Sequence, residues 1–289
     1  MFFSRSANYR EWRVAKLDDY PQSADELIIN IGALTNLDDE ATKSILASCR
    51  RANMAIYTCR DTGVDRAAIL AFAAHFGLRR LDHHLCANED GVSELTVANE
   101  DRRTRYAPYS QSSLSWHTDG YYNERSRQVR AVILHCAQNA VAGGQSALLD
   151  PEIAYIRLRD ENPEYITAFE HPACMTIPAN VEDGVETRPT VTGPVFSCDQ
   201  PGGVLHMRFS ARQRNIRWRD DRTTTAARKF LSEVLSDEDG PALHYDLQPG
   251  QGIISNNVLH NRTAFEDGPV QKRLLYRARF FDRVDRSYS

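Results

Sequence analysis

Apolar and polar positions along this chain fall into short alternating runs, set between glycine, proline and asparagine, with a few stretches at helical spacing. From Gln128 to Ala137, Val129, Ala131, Ile133 and His135 alternate with Val132, Leu134 and Cys136. A period of two is the mark of a strand. Arg273–Phe281 repeats it, with Leu274, Tyr276, Ala278 and Phe280 on one face and Leu275, Arg277, Arg279 and Phe281 on the other. Shorter strands are expected at 27–31, 54–57, 95–97, 243–247 and 253–254. A β-hairpin is expected over 195–209 around Gln200-Pro201-Gly202-Gly203. Polar capping residues at Asn36–Asp39 open a helix that runs to Arg50-Arg51. A second helix spans Asp65–Phe76, with Ile69, Phe72, Ala73 and Phe76 on one stripe and Gly77 as its stop. Helices are also expected at 151–159 and 163–170, each opening on proline, and at 223–235.

Strands this short, with turns this frequent, predict a mainly β fold with flanking helices, a sandwich or jelly roll rather than a parallel doubly wound sheet. No repeat or low-complexity linker divides residues 1–289, so a single domain is expected. Residues 1–26 are polar and mixed and read as an N-terminal arm. Residues 150–185 and 210–242 read as helical insertions. Asn99–Ser115 is polar and reads as a loop approaching the site.

Composition narrows the function classes. A net charge of −4 supplies no general attraction to nucleic acid or an anionic membrane. The run Arg212, Arg214, Arg217, Arg219 and Arg222 around Trp218 is interrupted by Asp220 and Asp221, so it reads as a solvated lid or subunit contact. A homo-oligomer stays open. Six scattered cysteines without a C-x-x-C pair read as reduced thiols. The N-terminus lacks the apolar run of a signal peptide, and no stretch reaches the ~18 apolar residues of a membrane span. A cytoplasmic protein is expected.

The candidate chemistry centres on Trp116-His117-Thr118-Asp119-Gly120 and on His260. On an extended segment, His117 and Asp119 point to one face with Thr118 turned away. With a second imidazole they make two histidines and one carboxylate on one face of a metal, the arrangement of non-heme Fe(II) oxygenases. His83-His84 are adjacent and face apart, which disfavours them as ligands. His135 and His206 sit on core-like strands and read as structural.

In chain order, Trp116-His117-Thr118-Asp119, Gly143-Gly144-Gln145-Ser146, and His260 followed by Arg273-Leu274-Leu275-Tyr276-Arg277 resemble the taurine dioxygenase-like (TauD/TfdA) family of Fe(II)- and 2-oxoglutarate-dependent dioxygenases. The hairpin Pro194–Phe209 and the stretch Asn256-Asn257-Val258-Leu259-His260-Asn261-Arg262 are most similar to the branch that includes glutarate 2-hydroxylase. Asn261 stands where relatives often place glycine. The resemblance implies a double-stranded β-helix (jelly roll) core, with His117, Asp119 and His260 binding Fe(II). It also implies that Arg273, helped by Ser146, pairs with the distal carboxylate of 2-oxoglutarate, and that Arg277 meets an anionic group of the substrate. Arg208 lies in the branch-like hairpin as a further candidate for a substrate carboxylate, its bland alternative being an ion pair. Tyr121, Tyr122 and Asn123 follow the ligand pair and read as pocket lining. With O₂ as the other cosubstrate, the implied reaction hydroxylates a small carboxylate or sulfonate and releases succinate and CO₂. The alternative is a non-catalytic jelly-roll protein that binds a metal ion or small acid.

Overall fold

The computed structural model describes residues 6–61, 63–84, 86–100, 102–198 and 203–284. Chain contacts divide it into two compact units. One contains residues 21–114, 129–148 and 243–289, and the other residues 1–20, 115–128 and 149–242.

The first unit is organised on a six-stranded sheet. Its strand order is Ile28–Asn30, Met54–Thr58, Gln251–Ser255, Ala131–Gln138, Leu274–Phe280 and Ser93–Leu95. The first pair is parallel and the others are antiparallel. The alternation read in the sequence explains why both faces are covered. Ala131 and Ile133 join a large core with Ile45, Phe72 and Phe76, whereas Cys136 packs with Leu95, Tyr109 and Leu275. Two helices, Asp39–Ala52 and Arg66–Ala74, contribute to the large core. Each begins on an aspartate that accepts a backbone N–H of its first turn, Asp38 from Ala41 and Asp65 from Ala68. Asn53 ends the first helix in the left-handed region at φ 57°. A second sheet of this unit places Ser146–Leu149 beside both Leu243–Tyr245 and Leu259–Arg262.

One buried polar pair crosses the six-stranded sheet. Tyr57 Oη lies 3.1 Å from His135 Nδ1, and His135 Nε2 meets no hydrogen-bond partner among the described residues. His135 is 0 % exposed, and burial lowers its pKa to about 4. Between the ordinary histidine value near 6.5 and pH 4, the unfolded chain takes up a proton that the folded chain refuses. Stability therefore falls as pH falls through that window, by roughly 3 kcal/mol in total from this group. Urea unfolding at pH 7, 5.5 and 4 is expected to show that slope, and His135→Asn to flatten it. An equal slope in the variant would remove His135 as its source.

The second unit carries the helices Ser6–Asp19, Pro151–Glu161, Pro163–Phe169 and Arg222–Ser236. Pro151 and Pro163 occupy the opening turns as expected, behind Asp150 and Asn162 as caps. Asp221 caps the last helix through the Thr224 N–H. The segment read as a polar arm contains a helix, held by pairs the local pattern does not show. Tyr9 and Arg13 both reach Asp160, at 2.7 and 2.6 Å. Lys16 lies 2.7 Å from both Asp150 and Glu152. The segment read as a helical insertion at 150–185 turns to β structure midway. Met175–Ile177 pairs with both Val191–Gly193 and Arg217–Trp218, and Asn180–Glu182 pairs with Val185–Arg188. The expected hairpin is present as Phe196–Cys198 against Leu205–Met207, and its turn at 200–202 lies outside the described residues.

Candidate active site

The strand Leu114–His117 carries the first ligand candidates, and its backbone is fastened around them. The Ala211 N–H donates to the Trp116 carbonyl at 2.8 Å, and the Thr118 N–H to the Phe209 carbonyl at 3.0 Å. Thr118 is fully buried, and its Oγ1 accepts the Phe209 N–H at 3.1 Å. The expected alternation therefore holds, with Thr118 spent on structure and its neighbours left for chemistry. Trp116 adds a further tie, its Nε1 donating to the Leu235 carbonyl at 2.9 Å. Gly120, at φ 66°, then turns the chain, and its carbonyl accepts the Asn123 N–H at 2.8 Å.

His260 lies on the strand Leu259–Arg262. The paired asparagines before it act as fasteners. Asn257 Nδ2 donates to the Val129 carbonyl at 2.6 Å, and the Asn256 N–H to the Asn53 carbonyl at 2.7 Å. Asn261, where relatives often have glycine, accepts the Ala147 N–H on its Oδ1 at 3.2 Å. That contact ties the strand of His260 to the strand of Ser146.

Both histidines make the same short-range contact. His117 Nδ1 lies 2.8 Å from the Ser115 carbonyl, and His260 Nδ1 lies 2.9 Å from the Val258 carbonyl. A carbonyl can only accept, so each Nδ1 carries the hydrogen and each neutral ring keeps its lone pair on Nε2. Such a partner fixes the ring and tautomer of a metal-binding imidazole. His117 and Asp119, in the second unit, each offer one ligand atom within 4.8 Å of the other, and His260 offers an imidazole in the first unit. Two imidazoles and one carboxylate suit a divalent transition metal and leave further coordination positions open. The donor set therefore fits iron. His84 is otherwise engaged, its Nε2 lying 2.9 Å from Ser93 Oγ and its Nδ1 accepting the Cys86 N–H.

A cavity of about 390 Å³ in the first unit is lined by Arg273, Ser146, Gly144, Thr263, Cys136 and Leu275, among others. Arg273 is buried, and burial lowers its pKa. Its backbone N–H donates to Asp267, but its guanidinium has no hydrogen-bond acceptor among the described residues. A buried cation without an acceptor is costly, and a carboxylate in the cavity offsets that cost with two parallel hydrogen bonds. Gly144 beside it takes φ 84°, a conformation that favours glycine, and a Cβ there would make ordinary contact with Arg273 Nε at 3.4 Å.

The remaining candidates separate. Arg277 is buried, four residues along the strand from Arg273, and its charge acts on the buried Tyr109 phenol. Arg208 is a structural clamp. Its terminal nitrogens donate to the carbonyls of Met175, Val191 and Gly193 at 3.0, 3.1 and 3.3 Å. It thus holds two strands of the second unit, while its buried Nε meets no hydrogen-bond partner among the described residues. Tyr121 stands edge-on to the His117 ring at 6.3 Å and to Tyr122 at 5.3 Å. Asn123 is engaged in the turn, its Nδ2 donating to the Arg127 carbonyl. Two arginines not singled out as site residues join this group. Arg212 donates to Tyr121 Oη at 3.2 Å, and Arg188 lies over the Tyr122 ring at 5.5 Å. Arg212 lay within the recognised basic run, whereas Arg188 carried no sequence signal.

A uridine-5'-phosphate dioxygenase from Amycolatopsis sp is 24% identical over 261 residues, covering 83% of this chain and 89% of that one. An asparagine oxygenase solved with Fe(II), 3-hydroxyasparagine and succinate superposes with a TM-score of 0.59 at 15% identity, over 87% of this chain and 93% of that one. A taurine dioxygenase from Burkholderia xenovorans also gives 0.59, at 17% identity, over 90% and 89%. Residues 16–279 match the family described as taurine catabolism dioxygenase TauD, TfdA family. The chain belongs to that family and is a 2-oxoglutarate-dependent non-heme iron dioxygenase.

Proposed function

We propose that His117, Asp119 and His260 hold the Fe(II), that Arg273 with Ser146 anchors 2-oxoglutarate, and that a small anionic substrate is hydroxylated beside them. The observation that carries the cosubstrate reading is the buried Arg273 guanidinium, which lines a cavity and has no acceptor of its own. The bound iron, with 2-oxoglutarate and O₂, supplies the oxidising chemistry that couples release of succinate and CO₂ to hydroxylation. The chain's own part is positional. The Ser115 and Val258 carbonyls orient the two imidazoles, and the fixed fork of Arg273 orients the cosubstrate. Such positioning of reactants is a large source of rate in itself.

Arg277 supports the anionic substrate class, since a cation buried on the strand of Arg273 suits a second acid group. The uridine-5'-phosphate in the relative's name is likewise an anion. The six-stranded sheet, antiparallel beyond its first pair, and the sheet that carries both Ser146 and His260 support a double-stranded β-helix core, and the family match across 16–279 supports a single functional domain. No described helix is long and apolar enough to cross a membrane. The free thiols of Cys49, Cys59, Cys136 and Cys174 support a reducing cytoplasmic setting.

Arg273→Lys keeps the charge and loses the fork. It is expected to raise the KM for 2-oxoglutarate by about tenfold or more, the worth of one charge-assisted hydrogen bond, with a smaller effect on kcat. Succinate formation against 2-oxoglutarate concentration measures this. An unchanged KM would remove Arg273 from the cosubstrate site.

A further inference from the structure

Two arginines share one aromatic ring at the edge of the cavity. The guanidinium carbons of Arg262 and Arg273 lie 4.7 and 5.0 Å from the centroid of Phe265. Both distances are within the range of cation–π attraction. The two cations are not equivalent. Arg262 is consumed by backbone, its Nε donating to the Thr263 carbonyl at 3.2 Å and its terminal nitrogen to the carbonyls of Ser110 (3.0 Å) and Ser112. Arg273 alone of the two has no acceptor and lines the cavity.

The ring itself is fixed. Phe265 is 4% exposed, its N–H donates to the Gln111 carbonyl at 3.1 Å, and it pairs in register with Gly143. The Gly144 N–H donates to the Ala264 carbonyl at 3.0 Å. A Cβ at Gly144 would lie 3.4 Å from both Phe265 Cβ and Arg273 Nε. Gly144 turns the chain here at φ 84°, a conformation that favours glycine, with ring and arginine in ordinary contact distance of it. Both guanidinium groups lie against the same ring, so the two like charges repel. An anion in the cavity relieves that repulsion.

We propose that Phe265, braced by Arg262, is a positioning residue that holds the Arg273 guanidinium ready to receive the distal carboxylate of 2-oxoglutarate. This rests on the reading of Arg273 as the cosubstrate anchor. A long arginine side chain otherwise loses rotamer freedom when it binds, and a fixed aromatic platform bears that loss at folding.

The test is anaerobic calorimetric titration of the Fe(II)-loaded protein with N-oxalylglycine, alongside iron affinity and the thermal midpoint. The variants are Phe265→Leu, Phe265→Met, Phe265→Tyr and Arg273→Lys. Leucine and methionine keep the site apolar and remove the π face, so about tenfold weaker binding is expected with iron affinity unchanged. Phe265→Tyr keeps the π face and is expected to bind within about twofold of wild type. If the leucine and methionine variants bind as wild type while Arg273→Lys is weakened, the positioning role is overturned and the anchor stands. If Arg273→Lys itself binds as wild type, the anchor reading falls and this inference falls with it.

Discussion

Asp119→Ala and His117→Ala are each expected to lose tight Fe(II) binding and all 2-oxoglutarate turnover while remaining folded. The oxygen and nitrogen donors of these two residues lie within 4.8 Å of one another. Removal of one leaves two of the three donors proposed for the ion. Loss of a group that only orients a metal ligand costs about 10–100-fold in metal affinity or activity, so loss of a ligand itself is expected to exceed about a hundredfold. The fold survives because the backbone around the pair is held by Phe209, Ala211 and the buried Thr118, none of which depends on the metal. Iron content after gel filtration, succinate formation and circular dichroism read the three parts separately. Retained turnover in either variant would take that residue out of the metal site.

Arg279→Met is expected to destabilise the protein by about 3–5 kcal/mol, because it strands Asp82 as a buried charge. Both side chains of the Arg279–Asp82 pair are 2% exposed, and the Asp82 N–H also donates to the Arg279 carbonyl at 2.8 Å. The combined variant Arg279→Met with Asp82→Leu removes both charges and is expected to recover most of that loss. Urea unfolding at pH 7 measures both. A loss below about 1 kcal/mol for Arg279→Met would mean that the pair behaves as a solvated one.

The parts of this molecule that could be read from the sequence are those whose physics is local. Alternation placed His117 and Asp119 together with Thr118 opposed, and the burial of Thr118 bears this out. Aspartate caps and helix-opening prolines marked the starts of helices. The strand Ala131–Gln138 was legible because its two faces enter two different cores. What escaped depends on distant partners. The helix Ser6–Asp19 is held by Asp150, Glu152 and Asp160, which no local pattern links to it. The three-residue strands at 175–177 and 191–193 are too short to show a period, and they are completed by Arg208 from the hairpin. The acceptors that Arg208 holds are main-chain carbonyls, which leave no signature in the sequence. Phe265 went unremarked for a similar reason, since its role appears only where two arginines meet one ring.

The most direct test of the central claim is the visible absorption spectrum of the protein mixed anaerobically with Fe(II) and 2-oxoglutarate. A band that requires protein, metal and keto acid together is expected for the wild type. It should be absent in Asp119→Ala and should need more 2-oxoglutarate to develop in Arg273→Lys. A wild-type protein that binds both iron and 2-oxoglutarate without forming the band, or an undiminished band in Asp119→Ala, would contradict the assignment of these residues.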